Sequence, residues 1–252
     1  MKTINADSTN RFSDRVADYV RYRPGYPEPL YQALALDPSA IVVDIGSGTG
    51  ISSEFFLRHG HQMIGVEPNE AMRQAAESQF SHDARFKSVA GTAESTTLPD
   101  DCADLIVAAQ AFHWFDRVKA RAEFMRILRS GGRVAVIWNT RRTSSTPFLR
   151  DYESLLREFG TDYDRVRHDS LDRAAIAEFF RGPFQSFRFD NGQEFDWEGL
   201  QGRLRSSSYV PSPDHPRHQP MMEQFAKVFE QHAVSGRVMF QYDTELFIGA
   251  LR

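Results

Sequence analysis

Residues 41–50, IVVDIGSGTG, indicate how the chain folds. Positions 41–45 form an apolar, β-branched run interrupted by Asp44, which is typical of a strand buried on both faces of a parallel sheet. The glycine-rich segment 46–50 follows, and then a predicted helix over 51–59. Glycines permit a tight turn and let a ligand approach the backbone, while the N–H groups that open the helix point at that ligand. The stretch therefore predicts a nucleotide-binding site.

The spacing of the glycines narrows the kind of nucleotide. A dinucleotide site favours G-x-G-x-x-G, whereas this chain reads G-x-G-x-G and carries Ile51 at the sixth position. A phosphate-binding P-loop needs Gly-Lys-Ser/Thr, which is missing here. The form DIGSGTG resembles motif I of the class I S-adenosylmethionine-dependent methyltransferases. From the motif alone, a glycine turn in another α/β protein remains the alternative.

Composition gives the general class of the protein. The 252 residues are 41% hydrophobic and 25% charged, which is ordinary for a globular domain. The net charge of -4 gives no overall attraction to nucleic acid or membranes, and no apolar run approaches the ~20 residues of a membrane-spanning helix. Cys102 is the single cysteine, which excludes an intramolecular disulfide and a cysteine zinc site. With a polar N-terminus and no signal peptide, a cytoplasmic protein is expected.

The segment before the motif offers a second ligand contact. The apolar spacing predicts a helix over 12–20, ended by RPGYP at 23–27. Tyr19 and Arg23 are four residues apart and can share a face. The pattern YxxxRPxYP is similar to the segment before motif I in small-molecule methyltransferases, which implies that Arg23 binds the methionine carboxylate. The alternative is an exposed arginine at a helix end.

The end of the second predicted strand, 63–66, carries Glu67. An acidic group at that position can accept both ribose hydroxyls of a nucleotide. The alternative is a solvated acid near the start of the next helix, for which Asn69 is the predicted N-cap. Family members carry an acidic residue beside the adenine where this chain has Thr92. We therefore expect backbone contacts from Ala93 and a polar role for Glu94.

The loop 110–116, QAFHWFD, follows the fourth predicted strand, 104–109. It resembles the corresponding segment of methyltransferases that act on small acids, sterols and related metabolites. Ligands bind at the carboxyl ends of strands in such sheets, so Phe112 and Trp114 are predicted to line a pocket. The alternative is a loop packed on the core. His113 is the candidate general base, because its ordinary pKa is near ~6.5, or else it only orders the loop.

Strands and helices alternate up to the fifth strand, 134–138, after a helix that Gly131 and Gly132 are predicted to end. This alternation predicts an α/β fold with a doubly wound parallel sheet. The resemblance implies a Rossmann-like seven-stranded sheet with an antiparallel edge strand and a helical lid from the C-terminal part. The predicted divisions of this single domain, 1–252, are a cofactor core, 12–140, a mostly helical substrate lid with a late sheet strand, 145–235, and a closing strand, 237–251.

The resemblance implies S-adenosylmethionine as cofactor and in-line methyl transfer to a small-molecule acceptor. Such a reaction depends on positioning rather than on an acid–base dyad. Arg141 and Arg142 follow the fifth strand and are predicted to hold an acidic acceptor at the rim, with solvated arginines as the alternative. We expect the lid around Trp197 and the loop 110–116 to enclose the acceptor. The alternatives are a non-catalytic S-adenosylmethionine-binding protein and a nicotinamide-dependent oxidoreductase; an RNA substrate is disfavoured by the acidic charge balance.

The predicted site residues form three groups. Those expected to bind the cofactor are Tyr19, Arg23, Asp44, Gly46, Ser47, Gly48, Gly50, Glu67, Pro68, Met72, Thr92, Ala93, Glu94, Ala109 and Gln110. Those expected to line the substrate pocket are Phe112, Trp114, Arg141, Trp197 and Tyr209. His113 is the candidate catalytic residue, and no histidine spacing suits a metal ion.

Overall fold

The computed structural model describes residues 21–161, 163, 172–207 and 209–251, so the predicted helix over 12–20 lies outside the described residues. The strands are β1 Ile41–Ile45, β2 Gln62–Val66, β3 Phe86–Val89, β4 Ala103–Ala109, β5 Leu128–Arg141, β6 Phe184–Phe195 and β7 Val238–Gly249. The helices are α1 Glu28–Leu34, α2 Ile51–Arg58, α3 Glu70–Gln79, α4 Arg117–Ile127, α5 Pro147–Phe159, α6 Arg173–Phe180, α7 Trp197–Arg205 and α8 His218–His232.

The strands form one seven-stranded sheet in the order β3-β2-β1-β4-β5-β7-β6. The first five strands in this order pair in parallel. Strand β7 pairs antiparallel with both β5 and β6. This arrangement confirms the predicted doubly wound sheet with an antiparallel pair at one edge, and it places β7 one position inside the edge strand β6.

Alternate side chains of β1 supply the core on both faces of the sheet. Val43 and Ile45 lie in one apolar cluster with Phe124 of α4. Val42 lies in the opposite cluster with Phe56 of α2. Because helices cover both faces, a continuous apolar run is the stable choice for this central strand.

A third apolar cluster lies at the C-terminal part of the chain. It brings together α5, α7 and α8 with the first half of β7, and we call it the C-terminal cluster. Helix α6 does not join it, because Ile176, Phe179 and Phe180 pack into the sheet core instead. The predicted lid, 145–235, is therefore divided between these two clusters.

The boundary between α4 and β5 differs from the prediction. The helix ends at Ile127, and Leu128 already has extended backbone angles. Strand β5 therefore begins before Gly131, which has a φ of +82°, and pairs from Leu128 with Ala103 of β4. Pairing with the neighbouring strand outweighs the tendency of the glycines to end an element.

Among the described residues, no helix is long and apolar enough to cross a membrane.

Candidate cofactor and acceptor site

The glycine turn between β1 and α2 has the conformation that the sequence predicts. Gly46, Gly48 and Gly50 have φ values of +71°, +55° and +93°, a region that favours glycine. A Cβ added at Gly46 would lie 2.6 Å from the Cβ of Ala111. Glycine is thus required here both for the backbone angle and for close packing against the loop after β4.

The space beside Gly48 differs from that beside its neighbour. A Cβ at Gly50 would lie 2.4 Å from the ring of Phe80. At Gly48 the nearest atom is Met72 Sδ at 3.9 Å, which is an ordinary contact. The turn is therefore packed at Gly50 and open at Gly48, as a surface that receives a ligand against bare backbone requires.

Glu67 holds the turn from the end of β2. Its Oε2 accepts a hydrogen bond from the Gly48 N–H at 2.9 Å, and its Oε1 accepts one from the Asn69 N–H at 2.8 Å. The side chain is buried, and burial raises its pKa above the ordinary value. Each carboxylate oxygen can accept a further hydrogen bond. Contact with ribose hydroxyls stays a prediction, but the carboxylate is fixed beside the open position at Gly48.

Asp44 lies fully buried beneath the turn. Its Oδ2 accepts hydrogen bonds from the hydroxyls of Ser52, at 2.5 Å, and Ser53, at 2.9 Å. Burial raises the pKa of Asp44 to about 6. Asp44 Oδ1 and Thr49 Oγ1 are buried without a hydrogen-bond partner in the described part of the chain. Buried polar atoms are normally paired, so these two oxygens fit a ligand that brings donors such as an amino group.

Thr49, Ser52 and Ser53, whose hydroxyl groups are described above, were not among the predicted site residues. Ser52 and Ser53, at the start of α2, donate to Asp44, and Thr49 lies in the glycine turn just before that helix. The available signal was the run of small polar residues directly after the glycines, which is unusual for the buried side of a helix.

The segment beside the predicted adenine position is built from backbone bonds. Thr92 and Ser95 exchange hydrogen bonds of 3.0 and 3.3 Å across an isolated bridge, with Ala93 buried between them. Glu94 Oε1 accepts a hydrogen bond from the N–H of Asp116 at 2.8 Å. Glu94 therefore has a polar role in the structure, because its carboxylate fixes the end of the loop 110–116.

Gln110 joins the carboxyl ends of β4 and β5. Its N–H donates to the carbonyl of Ile137 at 3.0 Å, and its Nε2 donates to the carbonyl of Asn139 at 2.9 Å. Its φ of +59° is a strained value for a residue other than glycine. Such strain is common at functional sites, and here it turns the chain at the sheet edge where α/β proteins bind ligands.

The aromatic loop divides its side chains between core and surface. Phe112 is 2% exposed and packs edge-to-face on Phe179 at 5.0 Å, so its ring lies in the sheet core, and a place in a pocket wall stays a prediction. Trp114 is 43% exposed, and the exposed His113 ring packs against Trp138 with centroids 5.1 Å apart. Within the loop 110–116, His113 and Trp114 are thus the two exposed residues.

The two arginines at the end of the fifth strand lie in different surroundings. Arg141 is the last residue of β5 and donates from Nη2 to Glu153 at 2.6 Å and to the Tyr163 hydroxyl at 2.9 Å. Arg142 pairs with Asp243 at 2.6 Å and also with Asp190. Arg141 is therefore an interior group of the C-terminal cluster, and Arg142 belongs to a surface ion-pair network.

The remaining predicted pocket residues also lie in the C-terminal cluster. The ring of Trp197 packs on Phe225 and Phe229 at 5.2 and 5.3 Å, and that of Tyr209 packs on Tyr163 at 4.9 Å. These contacts are internal to the cluster, so an acceptor cavity between Trp197 and the loop 110–116 stays a prediction.

Arg23 connects the segment before β1 to this cluster. Its Nη2 donates to the carbonyl of Ser206, just after α7, at 2.8 Å. Its own carbonyl accepts a hydrogen bond from Gln193 at 3.3 Å. Its predicted partner at the cofactor, Tyr19, lies outside the described residues.

A strand, a glycine turn and a helix, with a carboxylate fixed at the end of the next strand, define an α/β protein that binds a nucleoside-type ligand. Residues 43–136 match the family described as methyltransferase domain. The uncharacterized methyltransferase Rv3342 of Mycobacterium tuberculosis is 32% identical over 180 residues, which are 71% of this chain and 70% of that protein. The chain therefore belongs to the methyltransferase family, as the glycine motif indicated.

Solved structures show the same fold. A protein of Anaeromyxobacter dehalogenans assigned as a type II methyltransferase aligns with a TM-score of 0.65 at 20% identity, over 90% of this chain and 97% of that one. A phosphoethanolamine N-methyltransferase of Haemonchus contortus, in complex with S-adenosylhomocysteine, aligns with a TM-score of 0.55 at 14% identity, over 97% and 58%. S-adenosylmethionine is the methyl donor of this class, and the open turn at Gly48 fits it.

Proposed function

We propose that the protein transfers the methyl group of S-adenosylmethionine to a small organic molecule by in-line displacement. The observation that carries this proposal is the open position at Gly48 beside the fixed carboxylate of Glu67. Together they offer bare backbone and an acceptor for ribose hydroxyls at the carboxyl edge of the sheet. When bound, the donor supplies a methyl group already activated by its sulfonium.

The chain's own residues would position the donor. Glu67 would accept from the ribose, while Asp44 and Thr49 supply the buried oxygens without partners among the described residues. An ionised carboxylate at Asp44 also favours the positive charges of the donor, since burial strengthens such an interaction. Arg23 remains the proposed partner of the donor's carboxylate, because a guanidinium can bind it in a bidentate manner.

His113 is the proposed base for an acceptor that must lose a proton. It lies exposed beside Trp138 on the outward side of the aromatic loop, at the ligand edge of the sheet. We expect His113→Ala to lower kcat about 100-fold and to remove the acid limb of the pH–rate profile, as loss of a general base does. Trp114→Leu, which keeps the imidazole, is the matched control and should keep that limb. A loss of less than fivefold with an unchanged pH profile would leave His113 with a packing role alone.

The decisive experiment measures cofactor binding and turnover separately. By titration calorimetry we expect micromolar binding of S-adenosylmethionine and S-adenosylhomocysteine and no heat from NADH, because Ile51 replaces the third dinucleotide glycine. Donor labelled at the methyl group is then incubated with a panel of small metabolites, and label transfer identifies the acceptor. Binding of NADH without a response to S-adenosylhomocysteine would refute the proposal. Cofactor binding with no transfer to any small molecule would favour a non-catalytic binding protein.

A further inference from the structure

Two arginines on different elements reach into the C-terminal cluster: Arg141, whose side chain is 11% exposed, and Arg203, which is buried. Arg141 ends β5, and its Nη2 pairs with Glu153 and the Tyr163 hydroxyl. Its second terminal nitrogen, Nη1, is buried and has no hydrogen-bond partner in the described residues. A guanidinium nitrogen left in this state within a packed region costs free energy, so a partner outside the described chain is expected.

Arg203 of α7 is 4% exposed and lacks a carboxylate partner within the part of the chain that the structure describes. Its Nε donates to the hydroxyl of Tyr242 at 3.2 Å. Its Nη1 donates to the hydroxyls of Ser207, at 3.1 Å, and Ser206, at 3.4 Å. These neutral groups satisfy hydrogen bonds without neutralising the charge, which an arginine retains in proteins.

Aromatic rings join the two arginines into one cluster. The Cζ of Arg141 lies 5.1 Å from the centre of the Tyr152 ring, and that of Arg203 lies 5.7 Å from the Phe240 ring. The Tyr152 and Phe240 rings are themselves 4.9 Å apart. Burial raises the pKa of Tyr152 above its ordinary value, so its phenol stays neutral and adds no compensating charge.

The charges of the cluster do not balance. Within the described ranges, Arg141 and Arg203 carry two positive charges, and the carboxylate that pairs with either of them is that of Glu153. Glu153 also pairs with Arg157 at 3.1 Å. Burying a charge without a partner costs several kcal/mol. A protein that needs only apolar packing here would do better with a hydrophobic residue at position 203. Arginine suits such a place when a planar anion must be bound by two parallel hydrogen bonds.

The cluster lies beside the proposed methyl-transfer site. Arg141 ends β5, two residues beyond Asn139, whose carbonyl is bound by Gln110 at the end of β4. Arg141 is also paired in register with Tyr242, the partner of Arg203. Both arginines therefore adjoin the carboxyl edge of the sheet, where the acceptor must meet the donor.

We propose that Arg141 and Arg203, within their tyrosine-rich surroundings, bind the carboxylate of the methyl acceptor. This inference rests on the proposed function and adds to it the class of acceptor, a small organic acid with an apolar body. Arg157 is 54% exposed, so solvent screens its charge. Among the described residues, Arg141 and Arg203 then exceed Glu153 by one positive charge, which matches a singly charged carboxylate better than a dianionic phosphate. The buried rings of Tyr152 and Phe240 make the surroundings of the two guanidinium groups apolar, which favours an acid with an apolar body over a fully polar one.

The test uses the purified full chain saturated with S-adenosylhomocysteine and three probes that share a benzyl group, phenylacetate, phenylacetamide and benzylphosphonate. By calorimetry we expect phenylacetate to bind at least tenfold more tightly than the other two. Arg203→Met should remove this preference while S-adenosylhomocysteine affinity stays within twofold. Arg237→Met is the control, because Arg237 is a half-exposed surface arginine, and it should keep the preference.

The contrary results separate two statements, the carboxylate subsite and the proposed function. Equal binding of acid and amide, or an unchanged preference in Arg203→Met, would overturn the carboxylate subsite, and so would tightest binding of the phosphonate. Absence of S-adenosylhomocysteine binding in the wild type would instead overturn the proposed function. Should Arg203→Met fail to fold, Arg203→Lys keeps the charge but loses the planar donor fork, and phenylacetate affinity should fall at least fivefold. An unchanged affinity in that variant would also overturn the subsite.

Discussion

The glycine turn and the C-terminal cluster hold their charged groups in different ways. In the turn, Glu67 is bound by two backbone N–H groups and Asp44 by two neighbouring serines, all within residues 44–69. In the C-terminal cluster, Arg141 and Arg203 come from elements far apart in the chain, and their charge exceeds that of Glu153. A donor shared by a whole family can be bound by local backbone geometry. An acceptor particular to one protein requires side chains assembled by tertiary packing.

The largest effect that sharpens this contrast is expected within the turn. Gly50→Ala should lower the free energy of unfolding by about 2–4 kcal/mol. The alanine would have to adopt a left-handed backbone conformation, and its Cβ would clash with the Phe80 ring. Gly48→Ala shares the backbone penalty, but its Cβ meets only Met72 Sδ at an ordinary contact distance of 3.9 Å, so it should cost about 1–2 kcal/mol of stability and mainly weaken cofactor binding. Urea unfolding and calorimetry of both variants measure the two quantities. Equal destabilisation would show that the space beside Gly48 is closed.

A smaller effect is expected for Glu67→Gln. The amide oxygen still accepts one of the two backbone N–H groups, so the fold should survive, whereas the charged acceptor for the ribose is lost. Cofactor binding should weaken by about 1.5–3 kcal/mol, the value of a hydrogen bond to a charged group. The control is Glu70→Gln in the first turn of α3, an exposed acid that should leave affinity unchanged. If both variants bind equally well, Glu67 only braces the turn.

The smallest expected effect is a pH dependence of stability and cofactor affinity that arises from Asp44. Arg141 and Arg203 contribute no such dependence, because arginine stays charged. Because burial raises its pKa to about 6, the folded protein without cofactor binds more protons than the unfolded chain between pH 3.8 and about 6. The contribution of Asp44 to stability therefore falls as pH rises through that window. A cationic donor favours the ionised form, so its affinity should fall by up to tenfold per pH unit below about 6. Asp44→Asn should flatten this slope in calorimetry between pH 5 and 8, and a slope that persists would assign the proton to another group.

The sequence predicts the turn well because its determinants are local. Three features can be read directly from neighbouring residues: the glycine spacing, the apolar run of β1 and the position of Glu67 after β2. The structure brings these features together. The start of β5 was mispredicted, since Gly131 suggests a break that pairing with β4 overrides.

Tertiary packing decides the features that the sequence did not predict. The sequence around Phe112 does not indicate that its ring packs on Phe179, which belongs to a helix distant in the chain. Arg203 was not predicted at all, because an arginine near the end of an amphipathic helix normally faces solvent. Its burial depends on β7, whose Tyr242 binds it, and no local pattern signals that contact.

The insertion of β7 between β5 and β6 has a consequence for biosynthesis. Strand β6 precedes β7 in the chain, yet its ladder hydrogen bonds are made with β7. During synthesis, β5 therefore presents an open, apolar edge until residues 238–249 have emerged and can enter between the two strands. Open edges of this kind recruit other chains, and long-range closure is slow, so the nascent protein is most prone to aggregate just before its sheet is completed. Arg141 and Tyr242 become paired in register in that same final step, so the region proposed to bind the acceptor is the last part of the sheet to form.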